Sequence, residues 1–389
     1  MSQLRYFTAG ESHGQALVGI LEGVPAGLEI DEAYIATQLH RRQQGHGRGG
    51  RMRIEQDHAR ILSGVRLGKT LGSPIALEIA NRDWRNWQTK MAVAPNAEAA
   101  QMARVEIPRP GHADLAGAIK YQTDDLRNVL ERASARETAT RVALGSIARK
   151  FLESFGVSLA SHVVQIHEAR SSFTLVNFGK AGFDFNLEEI NQRAEASPVR
   201  CLEREAETEM IAAIDRAQQE RDTVGGIFEV AAFHLPVGLG SYAQWDRRLD
   251  GRIAAAMMSI PAIKGVEIGG GFASATQRGS AVHDQIYFAE ARGYYRSSNH
   301  AGGLEGGVTN GQPLVTRVAM KPISTLMRPL DSVNMRTKEA AAAHIERSDV
   351  CAVPAASVIG EAMLALVLAD AMLEKFGGDS MTEILARWQ

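Results

Sequence analysis

Two histidines lie in short polar turns that contain glycine, where an imidazole side chain is placed to move protons. His13 belongs to residues 10–14 (GESHG), and His112 belongs to residues 109–114 (RPGHAD). Glycine lets the backbone turn sharply or approach a ligand closely, and imidazole titrates near neutral pH. For either histidine alone, an equally good interpretation is a loop side chain that hydrogen-bonds to a nearby carbonyl.

Seven arginines occur in comparable stretches, marked by glycine, serine or proline. A guanidinium offers a planar fork of donors that matches a phosphate or a carboxylate. Residues 42–51 (RQQGHGRGGR) combine three of these arginines with glycines that expose backbone N–H groups. The seven are Arg42, Arg48, Arg51, Arg109, Arg132, Arg136 and Arg347. Together with the two histidines, they predict a basic pocket that binds a small anion and transfers protons.

Other interpretations of these stretches stay open. Residues 42–51 also have the composition of a flexible basic surface loop or an RNA-contacting loop, although no aromatic side chains accompany them for stacking on bases. Asp349 lies between Arg347 and an apolar run, which makes it a candidate base. A helix cap or a surface ion pair explains Asp349 equally well.

Composition restricts the class of protein. The chain has 389 residues, 45% of them hydrophobic, and can bury a large core. Its net charge of -2 provides no general positive field for nucleic acid or an anionic membrane. Two cysteines are too few for a disulfide framework, and no Cys/His set has zinc-ligand spacing. Because the N-terminus also lacks the apolar run of a secretory signal, we expect a cytoplasmic protein without nucleic-acid, membrane or metal partners.

Helical patterns position several of these residues. Asp31 can cap a helix that ends near Arg42, which places this arginine at a helix-loop junction. Residues 358–373 form the most apolar segment, and we expect a buried helix there because two carboxylates interrupt it.

A further helix is predicted from about residue 126 to residue 155. Its spacing puts Arg132, Arg136 and Thr140 on one polar face, since they follow each other at intervals of four. A solvated charged face is one interpretation, with Glu137 as the partner of the arginines, and a ligand-binding face is the other.

Two stretches share a turn pattern. Residues 24–28 (VPAGL) and 235–239 (LPVGL) each precede a predicted helix and then similar Gly- and Pro-marked strands. The likeness predicts two related β-α-β units, at about residues 5–80 and 228–320.

The fold class that follows is α/β (α+β), a layered β-α-β sandwich with an internal pseudo-repeat. We expect a single domain over residues 1–389, since no low-complexity linker divides the chain. Residues 270–310 are rich in Gly, Ser and Asn and are long enough to form a functional loop or lid.

Together these stretches resemble the chorismate synthase family over nearly the whole chain. The matching segments are residues 10–14, 48–51, 109–114, 132–138, 302–307, 321–325 and 347–349. The resemblance implies conversion of 5-enolpyruvylshikimate 3-phosphate to chorismate and phosphate, the last step of the shikimate pathway. This carbon-oxygen lyase reaction is a 1,4-elimination with loss of a ring proton, and it requires reduced FMN without net redox change. A homotetramer is also implied.

The resemblance assigns roles to particular residues. His13 would donate a proton to the leaving phosphate, and His112 would protonate or steady the reduced flavin near N1. Asp349 would assist removal of the ring proton through flavin N5. The implied substrate-binding residues are Arg42, Arg48, Arg51, Arg109, Arg136 and Arg347. The implied FMN-binding residues are Arg132, Ala133, Ser134, Pro261, Ala262, Gly306, Lys321, Pro322, Ile323, Ser324, Thr325 and Arg347.

One position departs from the family, and the source of reduction is open. Pro261 stands where the family commonly has glutamine, so only a backbone contact through Pro261 or Ala262 is implied. The flavin would be reduced either by an external flavin reductase or indirectly by NADPH, with Arg42 and Arg48 as the NADP-binding positions.

Two rival functions come from other classes. A flavin reductase or dehydrogenase would pass hydride to an acceptor, but it needs a nicotinamide site, for which the sequence has no convincing motif. A protein that only binds an anionic metabolite or RNA has no need of two turn histidines and a carboxylate.

Overall fold

The computed structural model of the chain describes residues 4–50, 55–178, 186–346 and 348–388. The helices are α1 (Glu32–Gln43), α2 (Ala97–Gln101), α3 (Asp114–Tyr121), α4 (Arg127–Leu130), α5 (Thr138–Glu153), α6 (Leu187–Ala196), α7 (Arg204–Gln219), α8 (Leu249–Met258), α9 (Gly279–Val282), α10 (Val353–Phe376) and α11 (Met381–Trp388). The strands are β1 (Arg5–Ala9), β2 (Ala16–Glu22), β3 (Ala59–Ile61), β4 (Val65–Arg66), β5 (Lys69–Thr70), β6 (Ile75–Ala80), β7 (Ser158–Ile166), β8 (Ala169–Arg170), β9 (Gly226–Phe233), β10 (Ile263–Ile268), β11 (Ile286–Ala289), β12 (Gly293–Arg296), β13 (Leu304–Glu305), β14 (Val308–Thr309), β15 (Leu314–Met320), β16 (Asp331–Val333) and β17 (Ala340–Ala342). Short 3-10 helices occur at Arg82–Asn86, Ala135–Glu137, Leu175–Asn177, Trp245–Arg247 and Gly271–Thr276.

A layer of helices lies between two antiparallel sheets. One sheet has the strand order β1-β2-β6-β3, and the other has the order β10-β15-β9-β7-β8. Helix α5 packs on β2 and β6 of the first sheet, whereas α10 packs on β7 and β9 of the second. The two helices pack along each other, and α1 and α8 complete the layer. The layered β-α-β sandwich predicted from the sequence is therefore confirmed.

Helix α10 forms the centre of the core. It is long and apolar enough to span a membrane, but 94% of its most apolar 18-residue stretch is buried inside the protein. A helix that is apolar on all sides is the expected core element of a large domain. Pro354 lies in its first turn, and Gly377 follows its last residue with a φ of 59°. The buried helix predicted over residues 358–373 is confirmed.

The two sheets repeat one connection. Three strands of each sheet are arranged so that the last in sequence lies between the other two, giving the orders β2-β6-β3 and β9-β15-β10. Thr70 donates its hydroxyl to the Pro25 carbonyl at 2.6 Å and accepts the N–H of the leucine three residues after that proline. Thr309 makes the same two bonds with Pro236, again at 2.6 Å, and its following leucine. The repeated turn pattern thus has a common structural basis, whereas the unit boundaries 5–80 and 228–320 stay a prediction.

The insertion at residues 270–310 is folded rather than irregular. It contains the hairpins β11-β12 and β13-β14. Arg296 of one hairpin pairs with Glu305 of the other at 2.5 Å, and Asp284 accepts the N–H groups of His300 and Ala301. These bonds stabilise the insertion internally, and its motion as a lid stays a prediction.

The prediction of one continuous helix from residue 126 to residue 155 is wrong. Helices α4 and α5 are separated by a turn in which Ser134 has an extended backbone, with ψ at 140°, and accepts the N–H of Arg136. Residues four apart therefore no longer share a face. Arg132 is exposed, whereas Arg136 is buried.

A buried carboxylate fixes the helical layer. Glu361 of α10 is 2% exposed and pairs with Arg41 of α1, with Arg149 of α5 and with Arg200. Burial alone would raise the pKa of Glu361, but the guanidiniums hold it well below its ordinary value. Helix α1 begins at the predicted Asp31 cap, and Arg41 in its last turn links it to α10 through Glu361.

We expect Glu361→Gln to lower the free energy of unfolding at pH 7 by about 3–5 kcal/mol, because it leaves buried guanidiniums unpaired. A carboxylate whose pKa falls on folding stabilises the protein above its unfolded pKa of about 4.3 and loses this contribution at lower pH. The difference in the free energy of unfolding between the variant and the parent should therefore become smaller from pH 7 to pH 3. Urea unfolding at one fixed protein concentration measures it.

The control is Glu374→Gln, on the same helix, because Glu374 is 33% exposed and pairs with Arg247 and Arg252 at the surface. This substitution should lower the free energy of unfolding by less than about 1 kcal/mol. Equal losses in the two variants would contradict the role given to Glu361.

Candidate active site

A cavity of about 440 Å³ opens between the α4-α5 turn, the C-terminal end of α8, the end of β15 and the first turns of α10. This volume is in the range of small-molecule sites. The lining side chains that can carry charge are His13, Arg42, Arg48, Asp83, Arg109, His112, Arg136, Lys321, Glu346 and Asp349. Both predicted histidines, the predicted carboxylate and four predicted arginines therefore meet at one place.

Five predicted residues are missing from the described residues that line this cavity, for two different reasons. Arg51 and Arg347 lie outside the described residues, so their positions are not assigned. Arg132, Pro322 and Gly306 are absent from the cavity wall that the described residues form. Gly306 is exposed on the turn between β13 and β14, beside the N-terminal end of α8.

The turn that carries His13 is fixed from both sides. Gly10 has a φ of 103°, and a Cβ there would lie 2.4 Å from the Ala16 carbonyl oxygen, so the position requires glycine. Arg132 donates to the Thr8 carbonyl at 2.9 Å and to the Gly10 carbonyl at 3.3 Å. Arg132 thus stabilises the turn from outside the cavity.

His13 is held by a carboxylate and an indole. Its Nδ1 lies 3.0 Å from Glu131 Oε2, and its backbone N–H donates to the same oxygen at 2.8 Å. The Trp87 ring stacks on the imidazole, with 3.9 Å between ring centroids. Burial alone would raise the pKa of Glu131, but hydrogen bonds from His13 and the Arg127 charge hold it below its ordinary value. An ionised acceptor requires hydrogen on Nδ1, which assigns the chemistry of this ring to Nε2.

His112 is oriented in a similar way. Its Nδ1 lies 2.6 Å from Asp114 Oδ1, and the other carboxylate oxygen accepts Arg109 Nε at 2.8 Å. Arg109 also donates to Thr325 Oγ1 at 2.9 Å. Burial alone would raise the pKa of Asp114, but the bonds from His112 and Arg109 hold it well below its ordinary value. Both cavity imidazoles therefore point one nitrogen at an ionised carboxylate.

The arginine loop is packed rather than flexible. Arg48 Nη1 lies 2.7 Å from Asp349 Oδ2, and the Gly49 N–H donates to Asp349 Oδ1 at 2.7 Å. A Cβ on Gly49 would lie 2.8 Å from the Ser348 carbonyl oxygen. The Val350 N–H donates to the Gly47 carbonyl at 2.8 Å. These contacts exclude the interpretation of a flexible surface loop for the part of it that the structure describes.

Two buried arginines share a carboxylate beside the cavity. Arg136 Nη1 lies 2.5 Å from Asp57 Oδ1, and Arg42 Nη1 lies 3.6 Å from Asp57 Oδ2. Thr138 accepts from the other side of the Arg42 guanidinium. Burial lowers the pKa of Arg42 to about 10, although Asp57 opposes the effect. Arg42 Nη1 and Arg136 Nη2 make no hydrogen bond to any described residue, although each lies 3.6 Å from a carboxylate oxygen, of Asp57 and of Glu55 respectively.

Segments implied in flavin binding line the same cavity. Ala262 has a φ of 69°, unusual for a residue with a side chain, and its carbonyl accepts the Lys321 N–H at 3.0 Å. Lys321 Nζ donates to the Gly111 carbonyl at 3.0 Å. The apolar residues that line the cavity include Leu130, Ile260, Pro261, Met320, Ile323, Ala352, Ala355, Ala356 and Ile359.

Sequence reasoning missed the residues that hold the histidines. Glu131 is 118 residues from His13, and Trp87 lies in residues 81–87 (NRDWRNW), which has polar and aromatic residues but no recognised spacing. Asp114 belongs to residues 109–114, but the sequence of that turn does not indicate that it orients His112. These residues are identified by their proximity to the histidines in the folded structure.

Comparison with known proteins agrees over almost the whole chain. The family model for chorismate synthase matches residues 4–373. A chorismate synthase from Desulforudis audaxviator is 58% identical over 98% of this chain and 95% of its own, and one from Aquifex aeolicus is 56% identical over 99% and 96%. A crystal structure of chorismate synthase is 47% identical and covers 99% of this chain and 96% of its own, with a TM-score of 0.79. The chain therefore belongs to the chorismate synthase family, the carbon-oxygen lyases that act at the last step of the shikimate pathway.

Proposed function

We propose that the protein eliminates phosphate from 5-enolpyruvylshikimate 3-phosphate to form chorismate, with reduced FMN as its cofactor. The observation that supports this most directly is the convergence of His13, His112 and Asp349 on one cavity. The substrate carries a phosphate and two carboxylates, which suit the guanidinium donors beside those residues. Arg42, Arg48, Arg109 and Arg136 are its proposed binding residues, together with Arg51 and Arg347.

The cavity residues fit FMN. Arg42 Nη1 and Arg136 Nη2 are buried donors that face carboxylates only at 3.6 Å and lack a hydrogen bond to the described residues, which leaves hydrogen-bonding capacity for an anionic ligand. The apolar wall suits a planar ring system, and Ala133, Ser134 and Lys321 line the same space. Reduced FMN supplies an electron-rich ring that favours departure of phosphate and leaves the reaction with no net redox change.

The reaction needs one proton donor and one proton acceptor from the chain. His13 donates from Nε2 to the phosphate oxygen as the C–O bond breaks, and the proton lost from the ring passes to the Asp349 carboxylate. The electrons of the broken C–H bond form one new double bond, the existing ring double bond shifts toward the carbon that loses phosphate, and the electrons of the C–O bond leave with the phosphate. His112 holds a hydrogen at the nitrogen turned away from Asp114 and steadies the charge of the reduced cofactor.

We also propose a cytoplasmic homotetramer. Exposed apolar side chains on β1 and on the β11-β12 hairpin suit subunit contacts; they include Phe7 at 62% exposure and Phe288 at 62%. Gly306 lies beside one end of α8 and Pro261 follows the other, about 15 Å away for a helix of this length. Gly306 would therefore reach a bound flavin most directly from a neighbouring subunit. An external flavin reductase is the proposed source of reduction, with NADPH bound at Arg42 and Arg48 as the alternative.

We expect the purified protein, given FMN, dithionite and 5-enolpyruvylshikimate 3-phosphate without oxygen, to release phosphate and chorismate in equal amounts while the flavin stays reduced. Absorbance of chorismate, a phosphate assay and the flavin spectrum measure the three quantities. Oxidation of flavin in step with product would instead support the reductase class. Binding of substrate without any product would support a binding protein.

His13→Ala and His112→Ala should each lower kcat by about 10²–10⁴-fold, because each removes a group that holds or transfers a proton. Circular dichroism and FMN titration should show a folded protein that still binds flavin. The control is His40→Ala, an exposed position on α1, which should keep the parent kcat. Unchanged turnover in either cavity variant would remove that histidine from the mechanism.

Gly49→Ala should lower kcat/KM on the order of 100-fold, because its Cβ would displace Ser348 and Asp349 from their places beside Arg48. Gly251→Ala is the matched control, since a Cβ there meets nothing within 4 Å. Steady-state kinetics on both variants, with unfolding midpoints to check the fold, make the measurement. Similar kinetics for the two variants would show that the close packing of the loop is not needed.

A further inference from the structure

We propose that Trp87 and Glu131 are positioning residues that hold His13 as a charged proton donor with Nε2 directed into the cavity. The inference rests on the role given to His13 in the proposed function. It concerns two side chains that belong to neither the implied substrate site nor the implied flavin site.

Glu131 holds both the backbone and the ring of His13. The carboxylate is 2% exposed, and one oxygen accepts the backbone N–H and Nδ1 of the same residue at 2.8 Å and 3.0 Å. Its other oxygen accepts Arg127 Nη1 at 2.9 Å. Two bonds to one residue fix the turn and the ring angle together. A carbonyl would orient the ring equally well, but an anionic acceptor also favours the charged ring.

Trp87 restrains the face of the same ring. The indole lies 3.9 Å from the imidazole between centroids, with 22° between the planes. Its Nε1–H donates to Asp83 Oδ2 at 3.1 Å, which fixes the indole in turn. The face of an aromatic ring carries negative charge, so a stacked indole stabilises an imidazolium more than a neutral imidazole. Trp87 also lines the cavity instead of packing into the apolar core.

The charged groups around His13 come from several elements. Glu131 and Arg127 belong to α4 and its C-terminal end, and Glu346 precedes α10. Glu346 is 3.0 Å from His344 Nε2 and 3.8 Å from Arg127 Nη2. The Trp87 side contributes Asp83 and Lys90, whose Nζ lies 5.0 Å from the centre of the indole. Glu11 lies in the same turn as His13. The carboxylates named here outnumber the fixed cations, and Glu131 bonds directly to the imidazole.

The first test needs neither flavin nor substrate. A protein with Trp87 as its sole tryptophan is made by the changes Trp84→Phe, Trp245→Phe and Trp388→Phe. An imidazolium stacked on an indole quenches its fluorescence, so the emission should fall as the pH is lowered from 9 to 5. Adding His13→Asn should abolish this step. An emission that does not depend on His13 would overturn the inference.

Glu131→Gln in this background should move the midpoint of the fluorescence step down by about one pH unit or more, because it removes a charge in contact with the ring. Glu137→Gln is the matched control: Glu137 is also buried and pairs with Arg141 at the same spacing, but it does not touch His13. If the Gln variant fails to fold, Glu131→Asp is measured instead: its shorter side chain withdraws the carboxylate from the ring, so the midpoint should again move down. Equal midpoints for the Glu131 and Glu137 variants would overturn the inference.

Turnover with reduced FMN separates this inference from the proposed function. Glu131→Gln should lower kcat on the order of tenfold with little change in KM. As the pH is raised, the variant should lose its activity at a lower pH than the parent does, because its proton donor deprotonates earlier. Trp87→Leu should also lower kcat, and Trp87→Phe should recover much of the loss because it restores a stacked ring.

The outcomes differ for the two claims. If His13→Asn keeps full turnover, the proposed role of His13 fails, and this inference fails with it. If His13→Asn loses turnover while Glu131→Gln and Trp87→Leu behave like Glu137→Gln, the proposed function stands and the positioning role is overturned.

Discussion

The pairing of the cavity arginines and histidines with carboxylates is the interaction on which the rest of the site depends. Asp349 holds Arg48, Asp57 holds Arg136, and Asp114 holds both Arg109 and His112. An unpaired charge is costly to bury, and a flexible cation would lose entropy when it bound a ligand. The carboxylates remove both costs. The arrangement therefore gives up some electrostatic attraction for the substrate and gains donors that are already in place.

The same pairing explains why glycine is required near the arginines. Asp349 can bond to Arg48 and to a backbone N–H only if the arginine loop passes directly over residue 348, and a Cβ on Gly49 would not fit there. A similar close approach at Gly10 brings the His13 turn against β2. Glycine thus sets the distance between backbone segments, and the carboxylates then set the direction of the side chains.

The sequence predicted the elements whose signals are local and missed those that depend on distant residues. The Asp31 cap and the all-apolar α10 follow from short-range rules, and the structure has both. The continuous helix over residues 126–155 failed because an extended Ser134 interrupts a pattern that is helical on both sides. The motifs correctly predicted that the histidines and arginines share one cavity. They did not predict Glu131 as the partner of His13, since nothing in a sequence marks which of many carboxylates a distant histidine will contact.

The helical layer links the cavity to the core of the fold. Arg41 pairs with Glu361 of α10, while the next residue, Arg42, turns to the cavity that the first turns of α10 also line. The buried cluster and the site are thus two ends of the same pair of helices. A shift of α1 along α10 would therefore disturb both the Arg41–Glu361 ion pair and the position of Arg42 in the cavity. The stability of the core and the geometry of the cavity are for this reason a single constraint on the sequence.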